Sequence, residues 1–276
     1  MAQRRAALLL PQRGRARCGA AASRAAAEMS TLLGFPAPAA AATGSWGGRP
    51  RTRPAPPRWA LVAFSDRPAL SALTRPSLAR FAEAQAERYE LLLESEALLD
   101  ARDFHPAWNK LAYARRALLL GDYEAVVCID DDILVTEPSR DAIREAAAAS
   151  GFLGAGEEGK LVLASLDEHI DARVPLNTGI LVLRRGPRTL RLLDELFRLG
   201  RRLQLLDGHI WLPRISGLWD QDAFAAYIRL HGDGDFALVE HGMLQSFVRR
   251  EGSKWRPGDF AAHFTGLADL APAERA

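Results

Sequence analysis

"AVVCIDDDILV", Ala125 to Val135, joins five small or apolar residues, three aspartates and three more apolar residues. The first five read as a buried strand. Like charges a few ångströms apart repel, and burying them unpaired is costly. Something positive must therefore meet them. In open α/β sheets, ligands bind at the carboxyl ends of strands, and Asp130, Asp131 and Asp132 fall at such an end. Carboxylate oxygens are hard ligands suited to Mg²⁺ or Mn²⁺. Alternation along an extended chain points Asp130 and Asp132 one way and Asp131 the other. An Asp-x-Asp pair can hold one divalent ion, which in turn neutralises a diphosphate. The plainer alternative is a solvated turn at the strand end.

Outward from this strand, short apolar runs alternate with helical patterns. "WALVAFS" (Trp59 to Ser65) and "YELLLES" (Tyr89 to Ser95) read as strands. Between them, Ser77 to Tyr89 reads as a helix capped by Ser77 after Pro76, with Leu78, Phe81 and Ala82 apolar. His105 to Gly121 reads as a second helix, with Pro near its start and Gly at its end. Beyond the aspartates come a helix over Ser139 to Ala149, a strand over Leu161 to Ser165 and the segment Val174 to Gly186. A helix follows over Pro187 to Leu199, with Leu190, Leu193 and Phe197 on one side, and another starts at Trp219. "DFALVE" and "GDFAAHFTG" are strand-like. The alternation predicts an α/β domain with a mostly parallel, Rossmann-like sheet and helices on both faces.

The 276 residues can bury a full core, as one domain. The net charge of +2 is unevenly spread: Glu28 is the only acid before Asp66, while arginines are dense through Arg58. The remainder is acidic on balance, which argues against a nucleic-acid binder. Residues 1–57 are Ala-, Arg-, Gly- and Pro-rich and read as disordered. They resemble an organelle transit peptide or an over-extended reading frame. Residues 58–276 are the expected catalytic domain. The two cysteines, Cys18 and Cys128, form no metal-type spacing. No segment approaches the ~20 apolar residues that span a bilayer.

Three further motifs carry chemistry, each with a bland alternative. In "NTG", Asn177 can hydrogen-bond sugar hydroxyls and Gly179 lets the backbone approach a ligand; a β-bulge is the alternative. "WDQDAF" sets Asp220, Gln221 and Asp222 at a helix start, where capping alone would explain the acids. In "GDFAAHFTG", His263 can complete a carboxylate metal site as a neutral imidazole, or serve structure only. His105, His169, His209, His231 and His241 form no ligand-spaced set, which disfavours a two-metal phosphohydrolase.

Taken in order, these pieces resemble the nucleotide-sugar glycosyltransferases of the GT-A fold, and among them glycosyltransferase family 34. The resemblance spans roughly Trp59 to Gly266 and rests on "AWNKLAYARRALLLGDYEAVVCIDDDILV", "PLNTGILVLRRG", "WDQDAF" and "MLQSFVRREGSKWRPGDFAAHFTG". Families 8 and 77 share several of these features. The resemblance implies Mn²⁺ or Mg²⁺ on Asp130, Asp132 and His263, holding the diphosphate of a sugar donor. It implies Asn177, Gln221 and Asp222 around donor sugar and acceptor, with Asp222 as electrostatic stabiliser or nucleophile of a retaining transfer. Lys110, Asp131 and Gly179 would contact the donor, and Ala63, Phe64 and Ser65 would line the nucleotide base. The reaction would move a hexosyl or pentosyl group from a UDP- or GDP-sugar to a glycan acceptor. The place of action would be the Golgi lumen, or an organelle addressed by the leader. The chain departs from the pattern in lacking a basic residue just after "HFTG" and an N-terminal membrane anchor. A catalytically degenerate sugar-nucleotide-binding protein is the competing expectation.

Overall fold

Apolar side chains on both sides of β1 (Arg58–Phe64) and β3 (Tyr123–Ile129) set the architecture. Trp59, Leu61 and Ala63 join Ala125, Val127 and Ile129 in a core on one face of the sheet. The alternate residues, including Val62, Val126 and Cys128, are buried on the other face. A strand buried on both sides needs helices on both sides. The computed structural model describes residues 58–154, 159–167, 175–207, 219–248 and 254–264. The expected leader over 1–57 and the C-terminal tail lie outside the described residues.

The main sheet has the order β2-β1-β3-β6-β5-β7, where β2 is Tyr89–Glu94, β5 Val162–Leu166, β6 Leu176–Arg184 and β7 Phe236–Val239. Only β6 runs against its neighbours, so the sheet is mixed but mostly parallel, as expected. Helix α1 (Pro68–Ala84) and α3 (Ala142–Ala149) contribute Leu78, Phe81, Ile143 and Ala146 to the core shared with Trp59. Helix α2 (Asn109–Leu120) packs on the opposite face, where Tyr113 stacks on Phe64. Helices α4 (Pro187–Asp207) and α5 (Asp220–His231) complete the set. None of the described helices is long and apolar enough to cross a membrane.

One expected boundary needs correction. Helix α1 begins at Pro68, well before Ser77, and Pro76 lies inside it. Pro68 favours the start because its φ is preset and its missing N–H is not needed there. Ser77 is no cap: its buried Oγ donates to Thr74 O at 2.8 Å and accepts the Val135 N–H at 3.1 Å. It ties α1 to β4 (Ile133–Val135), the strand that directly follows the aspartates.

That short strand builds a second sheet, ordered β4-β9-β8, from β9 (Ala261–His263) and β8 (Ser246–Phe247). Ile133 lies opposite His263 in an antiparallel pair. This pairing delivers the C-terminal histidine to the aspartates.

Candidate metal and donor site

The aspartates sit at the carboxyl end of β3, where the chain leaves the sheet in a turn. Each meets its own partner. Asp130 Oδ1 accepts from Lys110 Nζ at 2.5 Å. Asp131 points elsewhere: Arg67 grips both its oxygens, Nε to Oδ2 at 3.0 Å and Nη2 to Oδ1, and Ser65 Oγ donates to Oδ2. Asp132 Oδ1 lies 3.3 Å from His263 Nε2. Three separate groups therefore meet the three adjacent carboxylates.

Asp130, Asp132 and His263 each offer a ligand atom, and these atoms lie within 4.8 Å of one another. Burial works to raise the Asp132 carboxyl, but His263, Arg67 and Lys110 outweigh it and hold it below its usual range. Burial pushes the Asp130 carboxyl up; Lys110 opposes this, while Asp220 and Asp132 add to it.

Lys110 enters from the first turn of α2 and is 2 % exposed. Its Nζ reaches Asp130, Thr178 O at 2.8 Å and Asp220 Oδ2 at 3.0 Å. Burial alone would lower the ammonium, yet Asp130 and Asp220 hold it raised and charged. Its three protons thus meet protein acceptors. In the structure it is the counter-charge of both carboxylates.

The "NTG" segment forms a bulge. Ala164 of β5 pairs with Leu181, but the next residue, Ser165, pairs with Asn177. The looped-out residues turn backbone groups toward the site: Gly179 O accepts the Asp130 N–H at 2.9 Å, and Thr178 O accepts from Lys110. Gly179 is needed for a close approach of protein side chains. A Cβ there would lie 2.6 Å from both Gln245 Oε1 and His263 Cε1. Asn177 is buried, and its Oδ1 accepts from Gly179 N and Gln245 Nε2.

Helix α5 brings its first turn to the same edge. Gln221 is braced, with Oε1 on the Thr178 N–H at 3.3 Å and Nε2 on Asp167 Oδ2 at 2.7 Å. Asp222 Oδ2 accepts the Trp219 N–H at 2.9 Å, a capping contact, and burial raises its carboxyl. Ala63, Phe64 and Ser65 end β1 beside the aspartates; Phe64 is stacked within the fold and Ser65 holds Asp131.

Sequence reading missed two residues here, Arg67 and the buried role of Asp220. A signal for the second existed. Lys110 falls with Ala114 and Ala117 on the buried stripe of α2, and a lysine there requires a buried partner. Arg67 carries no comparable signal. A cavity of about 380 Å³ lies at the amino ends of β1 and β3, lined by Trp59, Glu124, Phe152 and Arg184 among others, at the end of these strands away from the aspartates.

Against solved structures, the chain is similar to a glycosyltransferase involved in glycosylating the major capsid of PBCV-1. The TM-score is 0.56 at 14% identity, over 79% of this chain and 97% of that one. This is the GT-A fold. Two galactosyltransferases superpose less closely. One is LgtC, solved with donor and acceptor sugar analogues, at TM-score 0.40 and 13% identity over 75% of this chain and 87% of LgtC. The other is the catalytic domain of Drosophila β1,4-galactosyltransferase 7 with xylobiose, at 0.39 and 14% over 78% of this chain and 73% of that domain. No family model matches the chain. No curated protein matches it in sequence.

Proposed function

We propose that this chain is a metal-dependent glycosyltransferase. It moves a hexosyl or pentosyl group from a nucleotide-diphosphate sugar to a glycan acceptor. One observation carries the reading: Asp130, Asp132 and His263 converge at the carboxyl edge of a GT-A sheet. The resemblance to family 34 adds the further proposals of a UDP- or GDP-sugar donor, retention at the anomeric carbon and work in the Golgi lumen.

The residues fit a divalent cation on charge as well as on donor type. Asp130 and Asp220 share one ammonium, Lys110, and Asp132 adds a third carboxyl group, so carboxyl groups outnumber the ammonium by two. Asp132 Oδ1 is a buried acceptor without a hydrogen-bond donor. Two carboxylates and an imidazole suit Mn²⁺ or Mg²⁺. When bound, such an ion neutralises charge developing on a leaving diphosphate.

The chain's own residues do the positioning. Lys110 holds Asp130 and Asp220 in fixed relation. Gln221 locks the α5 turn to the β6 bulge, so the helix start and the strand ends move as one body. Asp222, kept in place by the Trp219 N–H, is the carboxylate proposed to stabilise positive charge at the anomeric carbon.

The test incubates the full chain with a panel of UDP- and GDP-sugars, with and without Mn²⁺. Slow Mn²⁺-dependent release of one nucleotide, lost in Asp132→Ala, is expected. No release from any donor, together with no Mn²⁺-dependent thermal shift, would overturn the proposal.

A further inference from the structure

Behind His263 lies a chain of buried polar groups whose direction is fixed. The Gly179 N–H donates to Asn177 Oδ1 at 2.8 Å, and Gln245 Nε2 meets the same oxygen at 2.6 Å. A backbone N–H can only donate, so the Asn177 atom it meets is the carbonyl oxygen. The Gln245 atom facing that oxygen must then be the amide nitrogen. This leaves the Gln245 carbonyl oxygen turned away from Asn177 as an acceptor.

Gln245 is 0% exposed and its Oε1 has no donor. The His263 ring is 3% exposed, and its Nδ1 has no partner either. Buried polar atoms are rarely left so, because each costs about 1–3 kcal/mol. Both atoms approach the same point: a Cβ on Gly179 would lie 2.6 Å from Gln245 Oε1 and 2.9 Å from His263 Nδ1. An acceptor without a donor and a ring nitrogen able to donate therefore face one spot, kept open by a glycine, and neither is hydrogen-bonded to the other in this arrangement.

We infer that Gln245 is a positioning residue for His263. Its Oε1 takes the Nδ1–H and so fixes the ring in the tautomer whose Nε2 carries the lone pair. Nε2 is the nitrogen that faces Asp132 Oδ1, at 3.3 Å. In the metal-free protein His263 favours the Asp132 charge, and a cation bound between them would take the place of that contact on Nε2, so the inference rests, for its purpose, on the metal reading above. Ligating histidines characteristically donate their other ring N–H to a fixed acceptor, and loss of such an acceptor weakens metal binding about 10–100-fold. Asn177 acts one step further back, by setting which way the Gln245 amide points. Its side-chain oxygen is thus part of the His263 support, in place of the sugar contact expected of it.

The test uses the full chain labelled with ¹⁵N-histidine. Long-range ¹H–¹⁵N spectra at pH 8, without metal, report which ring nitrogen of His263 carries the proton; the signals are assigned by their loss in His263→Asn. In the wild type Nδ1 is expected to carry a proton. Gln245→Met should move it to Nε2 and weaken Mn²⁺ binding, read from the free-Mn²⁺ paramagnetic resonance signal, by about 10–100-fold. Gln245→Glu keeps an acceptor oxygen and should return the proton to Nδ1. A wild-type His263 protonated at Nε2 alone overturns the inference without recourse to any variant, as does a tautomer unchanged in Gln245→Met. If the tautomer follows residue 245 while the wild type binds no Mn²⁺, the positioning role stands and the metal reading falls.

Discussion

Lys110 and Arg67 each answer one aspartate of the same triplet, yet the two ion pairs differ in kind. The Lys110 side chain is 3% exposed and serves Asp130, Asp220 and a backbone carbonyl at once. The Arg67 side chain is 40% exposed and serves Asp131 with a two-pronged grip. A buried charge whose partner is removed is strongly destabilising, whereas an exposed pair contributes little. The difference comes from direction. Asp130 continues the side of β3 that faces α2, while Asp131 turns toward the end of β1. The buried pair holds the site's shape; the exposed pair ties two loop ends together.

Removing each cation in turn sharpens the contrast. Lys110→Met leaves Asp130 and Asp220 without their counter-charge. It should cost about 3–5 kcal/mol in urea unfolding; a loss under 1 kcal/mol would mean that the cluster is open to water. Asp132→Asn should behave differently, because it removes one of two adjacent like charges and leaves Lys110 paired. Its stability without metal should fall by about 1 kcal/mol, less than in Lys110→Met, because His263, Arg67 and Lys110 favour the Asp132 charge. With Mn²⁺ at 100 times the wild-type Kd, the ~2.7 kcal/mol gained by the wild type should be absent. Equal Mn²⁺ stabilisation of both proteins would remove Asp132 from the ligand set.

Arg67→Ala should lower stability by about 1–2 kcal/mol, less than Lys110→Met because Arg67 itself is 40% exposed, and the difference shrinks in added salt. A loss as large as that of Lys110→Met would erase the distinction between the pairs. The smallest expected signal is from Cys128, whose Sγ lies beneath the Lys110 carbonyl at 3.9 Å and whose thiol burial pushes up to about 12. In a Cys18→Ser background at pH 8, an aromatic disulfide reagent should leave Cys128 unlabelled while the protein is folded. Labelling as fast as in urea would show that the α2–β3 layer opens readily.

Much of the fold was legible along the chain because burial writes local patterns. Continuous apolar runs such as "AVVCI" mark strands covered on both faces, and the alternation of such runs with helical periodicity marks an α/β sheet. The misplaced start of α1 shows the limit. A proline was read as a boundary, but packing against β4 holds the helix through Pro76, so tertiary contact outweighed local preference. The site was legible in its residue types and less so in its contacts. Asp130, Asp132 and His263 were named from chemistry and family order. Lys110, Asn177 and Gly179 were named for ligand contacts, and the structure gives all three internal partners.

By itself the sequence determined that three aspartates end a buried strand, and that a cation must answer them, since electrostatic cost depends on residue type and burial. Only the tertiary structure decided which group answers which aspartate. The pairing of β4 with β9 sets His263 opposite Ile133 and so beside Asp132. The bulge in β6 turns Thr178 O and Gly179 O inward. The first turn of α5 sends Asp220 to Lys110 and leaves Asp222 as a cap. These partners are distant in the chain, and no local pattern records the distances between side chains that a fold brings together.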